Sequence, residues 1–244
     1  MKLNLLGEGS SDLGEKCALP DEGFCKGPMT LVIDAVVAGA GVTDVEYHLY
    51  SRGDVSVGIK ASKRRISPRP KSVDKEKQWF YQAAWWLGGQ TLAGKQNGAV
   101  FFHDPDHSRA ESSHTAVEIE NAMLTGFGMA QCETGVPMVP NPRSEAWLLA
   151  YFQKGLPGQQ SYNKSERFED LPATDKSPNS VKKLLQKALC CESELEVYPK
   201  VMDEFSSIDW SRVSMPSFNR FKGRLLGVLA TDAQGKTCSI KYKA

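Results

Sequence analysis

At 244 residues, 41% of them hydrophobic, the chain carries enough apolar material for one large α/β core or a core with a smaller appendage. Thirty Lys and Arg against 29 Asp and Glu give a net charge of +1, which excludes nucleic-acid binding through overall positivity but leaves room for local basic patches. The longest apolar stretches, 30–42 and 80–87, fall short of the about 20 residues a membrane-spanning helix needs, and the opening run is too brief for a signal peptide, so a cytoplasmic protein with no membrane segment is expected.

Lys2 to Leu6 reads as a first strand, and Gly7 and Gly9 allow a tight turn after it. Ser10 or Ser11 then falls where a helix cap would, with Asp12 in the first turn. Pro28 to Ala38 fits a helix with proline at its start, ending in the 39–41 glycine cluster, although Val and Ile over 30–37 also suit a strand. Val45 to Ser51 alternates as a strand does. Lys60 to Lys71 is basic and contains proline, so it reads as a surface loop. Val73 to Leu92 is a long helix with Trp79, Ala83 and Trp86 on one side, best explained by core packing.

Gly98 to His103 is a buried strand, Thr115 to Leu124 a helix and Thr134 to Val139 a further strand. Ser144 to Phe152 then reads as a short helix with Trp147, Leu148 and Phe152 on its buried face. Polar, irregular sequence over 156–176 marks a boundary, and helices follow near 180–189, 194–205 and 216–229. The expected fold is α/β: a mostly parallel sheet flanked by helices over 1–155, followed by a helical part over 156–244. Six scattered cysteines without a C-x-x-C pair suggest reduced thiols and no zinc ribbon.

Two acidic segments stand out, 5–12 (Leu-Leu-Gly-Glu-Gly-Ser-Ser-Asp) and 101–107 (Phe-Phe-His-Asp-Pro-Asp-His). Each is an apolar strand that stops in carboxylates, and the carboxyl ends of parallel strands form the functional crevice of an α/β protein. Asp104 and Asp106 fall on one side of an extended segment because side chains alternate with period two. Hard oxygen ligands in such a pair suit Mg2+ or Mn2+. Solvated loop acids are the plain alternative for either segment alone.

The strand, Glu8-Gly9, helix, and later strand ending in Asp104-x-Asp106 resemble the Toprim domain of topoisomerases, primases and OLD-type nucleases. The Glu8 to Asp12 spacing is similar to the OLD-type form, and Glu145-Ala146-Trp147-Leu148-Leu149-Ala150 resembles a motif of small stand-alone Toprim-like proteins from prokaryotic defence loci. The resemblance implies a Mg2+- or Mn2+-dependent nuclease, with Glu8, Asp104 and Asp106 catalytic and Glu8, Asp12, Asp104 and Asp106 holding metal. It implies nucleic acid as substrate, a role in antiviral defence, and an ATPase or other partner protein, since no Walker loop occurs in this chain.

His103 and His107 depart from the Toprim pattern. They could bind a softer metal or donate a proton, while packing of His103 and solvation of His107 is the simpler account. Pro105 stiffens the segment between the aspartates. Glu145 is either an active-site acid or a residue that favours the start of its helix. Lys63, Arg64, Arg65 and Arg143, with Arg220, Lys222 and Arg224, are candidates for phosphate contacts, which position a nucleic acid without reading its sequence. Two other functions fit the same residues: phosphoryl transfer on a small nucleotide, and a non-catalytic Toprim-like sensor working through a partner.

Overall fold

The computed structural model describes residues 1–7, 9–16, 24–62, 69–105, 114–152, 165–172, 174, 176–205, 210 and 213–233. Four parallel strands form the sheet: β1 (Lys2–Leu6), β4 (Glu46–Tyr50), β5 (Gly98–Phe102) and β6 (Gly135–Met138), in the order β4-β1-β5-β6. The α/β class and the helical carboxyl-terminal part are as expected from sequence. Between β1 and β4 lie α1 (Ser10–Leu13), a two-stranded antiparallel hairpin of β2 (Gly14–Lys16) and β3 (Phe24–Lys26), and α2 (Pro28–Gly39). No helix among the described residues is long and apolar enough to cross a membrane.

Alternation along the strands divides the apolar core into two layers. Leu3 and Leu5 of β1, Val100 and Phe102 of β5, and Val136 and Met138 of β6 pack with α2 on one face. Leu6, Ala99 and Phe101 pack on the other, against α4 (Gln78–Ala93) and α5 (His114–Met129). Asn4 also turns to this second face, where its amide donates to Thr91 Oγ1 of α4 at 3.0 Å inside the core.

The first layer continues without a break into the carboxyl-terminal helices. These are α6 (Ser144–Phe152), α7 (Val181–Ala188), α8 (Val197–Glu204) and α9 (Pro216–Ala233). Trp147 of α6 is fully buried, stacks on Phe221 at 5.6 Å and meets Phe218 edge-on at 5.2 Å. Its indole donates to Ser217 Oγ at 2.9 Å. One buried face was expected for α6, but Ala146 through Ala150 and Phe152 are all buried, because sheet and helical part enclose it from both sides.

Further differences from expectation have physical causes. Residues Arg52–Ser62 form a helix, α3, that takes in the start of the supposed 60–71 loop. Its start is capped reciprocally, Ser51 N and Oγ donating to Asp54 Oδ2 at 2.8 and 2.7 Å and Asp54 N to Ser51 Oγ at 3.2 Å. Only Val55 in it is buried, so little apolar periodicity announces it. Gly58, which reads as a helix breaker, is where α3 lies directly on the Trp86 indole, in space a side chain would occupy.

The hairpin β2–β3 was not foreseen, since its strands are three residues each. Gly14 is essential to it: its φ is +98°, and a Cβ there would meet the Cys25 carbonyl. Cys25 is disulfide-bonded, which corrects the expectation of reduced thiols throughout, while Cys132, Cys190 and Cys191 are in no disulfide.

Arg220 and Arg224, considered above for phosphate, instead face Glu120 of α5 at 2.7 and 3.6 Å and join α9 to α5. Glu120 is buried whereas the arginines are half-exposed, so the partly screened pair contributes modestly. Glu120→Ala is expected to cost about 1 kcal/mol, read as a shift in the urea midpoint with unchanged slope.

Candidate functional site

The strand of this sheet that follows β1, β4, lies on one side of β1, and the strand that follows β5, β6, lies on the other side of β5. The connections therefore diverge above the carboxyl ends of β1 and β5, and such a point of divergence leaves a crevice. β1 and β5 are hydrogen-bonded neighbours, with Leu6 opposite Phe101. The two acidic segments consequently leave the sheet side by side, as the sequence required for a shared site.

Asp104, two residues beyond β5, is held by the start of α6. Ser144 Oγ donates to Asp104 Oδ2 at 2.8 Å and Ser144 N approaches it at 3.4 Å. The other oxygen, Oδ1, is buried and has no hydrogen-bond partner among the described residues. A carboxylate serving only to cap a helix would not need to bury its second oxygen unsatisfied.

Burial, then the charge of Glu145, then that of Asp12 push the Asp104 carboxyl up to about 8, against the opposing effect of the Ser144 hydrogen bonds. Asp12, Asp104 and Glu145 thus share one field. Ser144 Oγ lies 3.5 Å from Glu145 Oε2 as well, so one hydroxyl links two of the three acids. The field of Asp12 also reaches the partly exposed Tyr198 of α8: burial first, and the Asp12 charge second, raise its phenol above the ordinary value.

Surrounding contacts fix this arrangement. Glu169, in the 3-10 turn Ser165–Asp170, accepts from Asn141 Nδ2 at 3.3 Å and from Ser217 N at 2.6 Å. It thereby ties the segment before α6 to the start of α9. His103 packs its ring on Phe80 at 4.5 Å, and Phe80 meets Trp79 at 5.2 Å. His103 is therefore part of an aromatic wall.

Glu8, Asp106, His107, Lys63, Arg64 and Arg65 lie outside the described residues, as does the side chain of His114. Arg143 is half-buried at the foot of α6, next to Ser144. Among the described residues, no three His, Cys, Asp or Glu side chains form a group that could hold a metal ion. Asp12, Asp104 and Glu145 nevertheless suit a cation: their mutual repulsion and the orphaned Oδ1 of Asp104 are what a positive charge would relieve.

Sequence reading missed Ser144 and Tyr198. Ser144 was legible as a residue at a helix start after Pro140-Asn141-Pro142, but its service to an acid forty residues earlier was not. Nothing in the sequence places Tyr198 near Asp12. No protein-family model matches the chain, and no curated protein or solved structure is found to be similar to it.

Proposed function

We propose that this chain is a Mg2+- or Mn2+-dependent phosphodiesterase acting on nucleic acid, with its cation held in the crevice above β1 and β5. The observation that carries this reading is the buried, unpartnered Oδ1 of Asp104 within the field of Asp12 and Glu145 at the point where the connections diverge. Asp104 and Asp12 would hold the cation, with Glu8 and Asp106 completing the ligand set as the Toprim resemblance implies. The bound cation would supply an activated water and neutralise charge developing on phosphate oxygens.

The chain's own groups do the rest. Ser144 keeps Asp104 oriented through Oδ2, leaving the buried Oδ1 without a hydrogen-bond partner among the described residues. Without a cation, Asp104 holds its proton up to about pH 8; releasing that proton is part of loading the site. Glu8 is the candidate general base or acid, and Glu145 is the neighbour that keeps the local charge negative. An ATPase or other partner, and a defence role, rest on the resemblance alone.

The deciding experiment incubates the protein with single- and double-stranded RNA and DNA in Mg2+, Mn2+ or EDTA. Cleavage is expected only with a divalent cation, and Glu8→Ala is expected to reduce it by about 10³-fold with circular dichroism unchanged. Failure of the folded wild type to cut any of the four polymers with either ion would remove the reading.

A further inference from the structure

On the other flank of the β1–α1 turn from Asp104, between that turn and the start of α3, lies a cavity of about 300 Å³. Gly7, Gly9, Leu13, Tyr50, Arg52 and Asp54 are among the residues around it. We propose that this cavity holds one nucleoside unit of the substrate, with the attached phosphate on Arg52; the proposal rests on the phosphodiesterase reading and names the part of the polymer bound beside the cut.

Size and lining favour this occupant. The volume is at the small end of ligand pockets, fitting a single nucleoside and not a stacked run of bases. Leu49 and Tyr50, both partly exposed, offer apolar surface to a base, and the exposed glycine backbone at 9 permits close approach. Glu15, exposed beside the same space, suits the N–H groups of a base and repels a phosphate, which is left to the cation at the rim.

Arg52 is that cation, and it is built into the wall that leads to the acids. Its guanidinium lies 4.9 Å over the Trp79 ring, Trp79 meets Phe80 at 5.2 Å, and Phe80 meets His103 at 4.5 Å. His103 immediately precedes Asp104. Stacking engages the face of a guanidinium and fixes its plane; phosphate is taken by the N–H edge. A nucleotide with its base in the cavity and its phosphate at Arg52 would therefore run toward the carboxylate cluster.

The test titrates adenosine monophosphate, guanosine monophosphate and ribose 5-phosphate into the full chain by calorimetry in EDTA. At least one nucleotide is expected to bind, ribose 5-phosphate at least ~10-fold more weakly, and Arg52→Ala to lose ~10-fold, the scale of one charge-assisted hydrogen bond. Photolabelling with 8-azidoadenosine monophosphate is expected to mark peptides spanning 7–15 or 49–54. No nucleotide binding, equal binding by Arg52→Ala, or label confined to other peptides would overturn the proposal. Because Arg52 is exposed in the first turn of α3, this variant is expected to keep the wild-type circular dichroism. Binding in EDTA is independent of cleavage: an inactive protein that binds nucleotide loses only the phosphodiesterase reading, and an active one that does not bind loses only the cavity.

Discussion

Trp147→Ala is expected to destabilise the protein by about 3–5 kcal/mol, the range for emptying a large aromatic from a packed core. Trp147 is completely buried, lies against Phe218 and Phe221, and is the hydrogen-bond donor to Ser217. Alanine would leave a void between α6 and α9 and deprive the buried Ser217 hydroxyl of its donor, a further penalty. Urea unfolding followed by fluorescence measures the loss. Trp147→Phe is expected to recover more than half of it by refilling most of the space while still lacking the indole N–H. A loss under about 1 kcal/mol for the alanine variant would mean that the helical part does not depend on this contact.

The second large effect has opposite signs for stability and function. Asp104 has a carboxyl value of about 8 in the fold against 3.8 in an exposed setting. Between those values the folded chain keeps a proton that the unfolded chain has released, so the stability of the cation-free protein falls as pH rises through that window. Below it both states are protonated and the penalty vanishes; above it the penalty is fully present. Asp104→Asn removes the ionisation, so in EDTA at pH 8 the variant is expected to melt several degrees above the wild type, with the two converging near pH 4.

Millimolar Mg2+ or Mn2+ should reverse the order. The wild type gains stability in proportion to occupancy, about 2.7 kcal/mol at a hundred times the dissociation constant, and the variant gains much less. Cleavage by Asp104→Asn is expected to fall by about 10³-fold. Thermal melts at pH 5 and pH 8, with EDTA and with each ion, provide the comparison. Parallel pH dependence for wild type and variant would show that Asp104 does not carry the strain assigned to it.

Much of this arrangement is legible in the sequence because it depends on local signals. The strands at 2–6 and 98–102 end in carboxylates, the α4 helix carries its tryptophans at helical spacing, and Pro28 starts α2. Each is written in periodicity or in a cap within a dozen residues. Helix α3 was hidden because its burial is confined to Val55 and because Gly58, needed for contact with Trp86, imitates a break. The hairpin was hidden because three-residue strands contain hardly one period, and its cysteine link depends on proximity in space. At the site, Asp104 could be read from its strand end. The Ser144 hydrogen bond, the approach of Tyr198 and the cavity beside Arg52 arise only when distant segments meet, and no local pattern encodes such a meeting.

β1, an inner strand of the sheet, is made well before its inner neighbour β5. Lys2 N donates to Asn97 Oδ1 across a separation of 95 residues, and β1 lines up with β5 from Leu3 opposite Gly98 onward. A nascent chain emerging at roughly 5–20 residues per second would therefore carry its amino-terminal strand without its inner neighbour for several seconds. The Trp147–Ser217 contact spans another 70 residues, so this layer of the core cannot close before α9 has left the ribosome. Such non-local closure makes for slow folding, and it leaves the apolar segment 2–6 exposed to mispairing until β5 has been made.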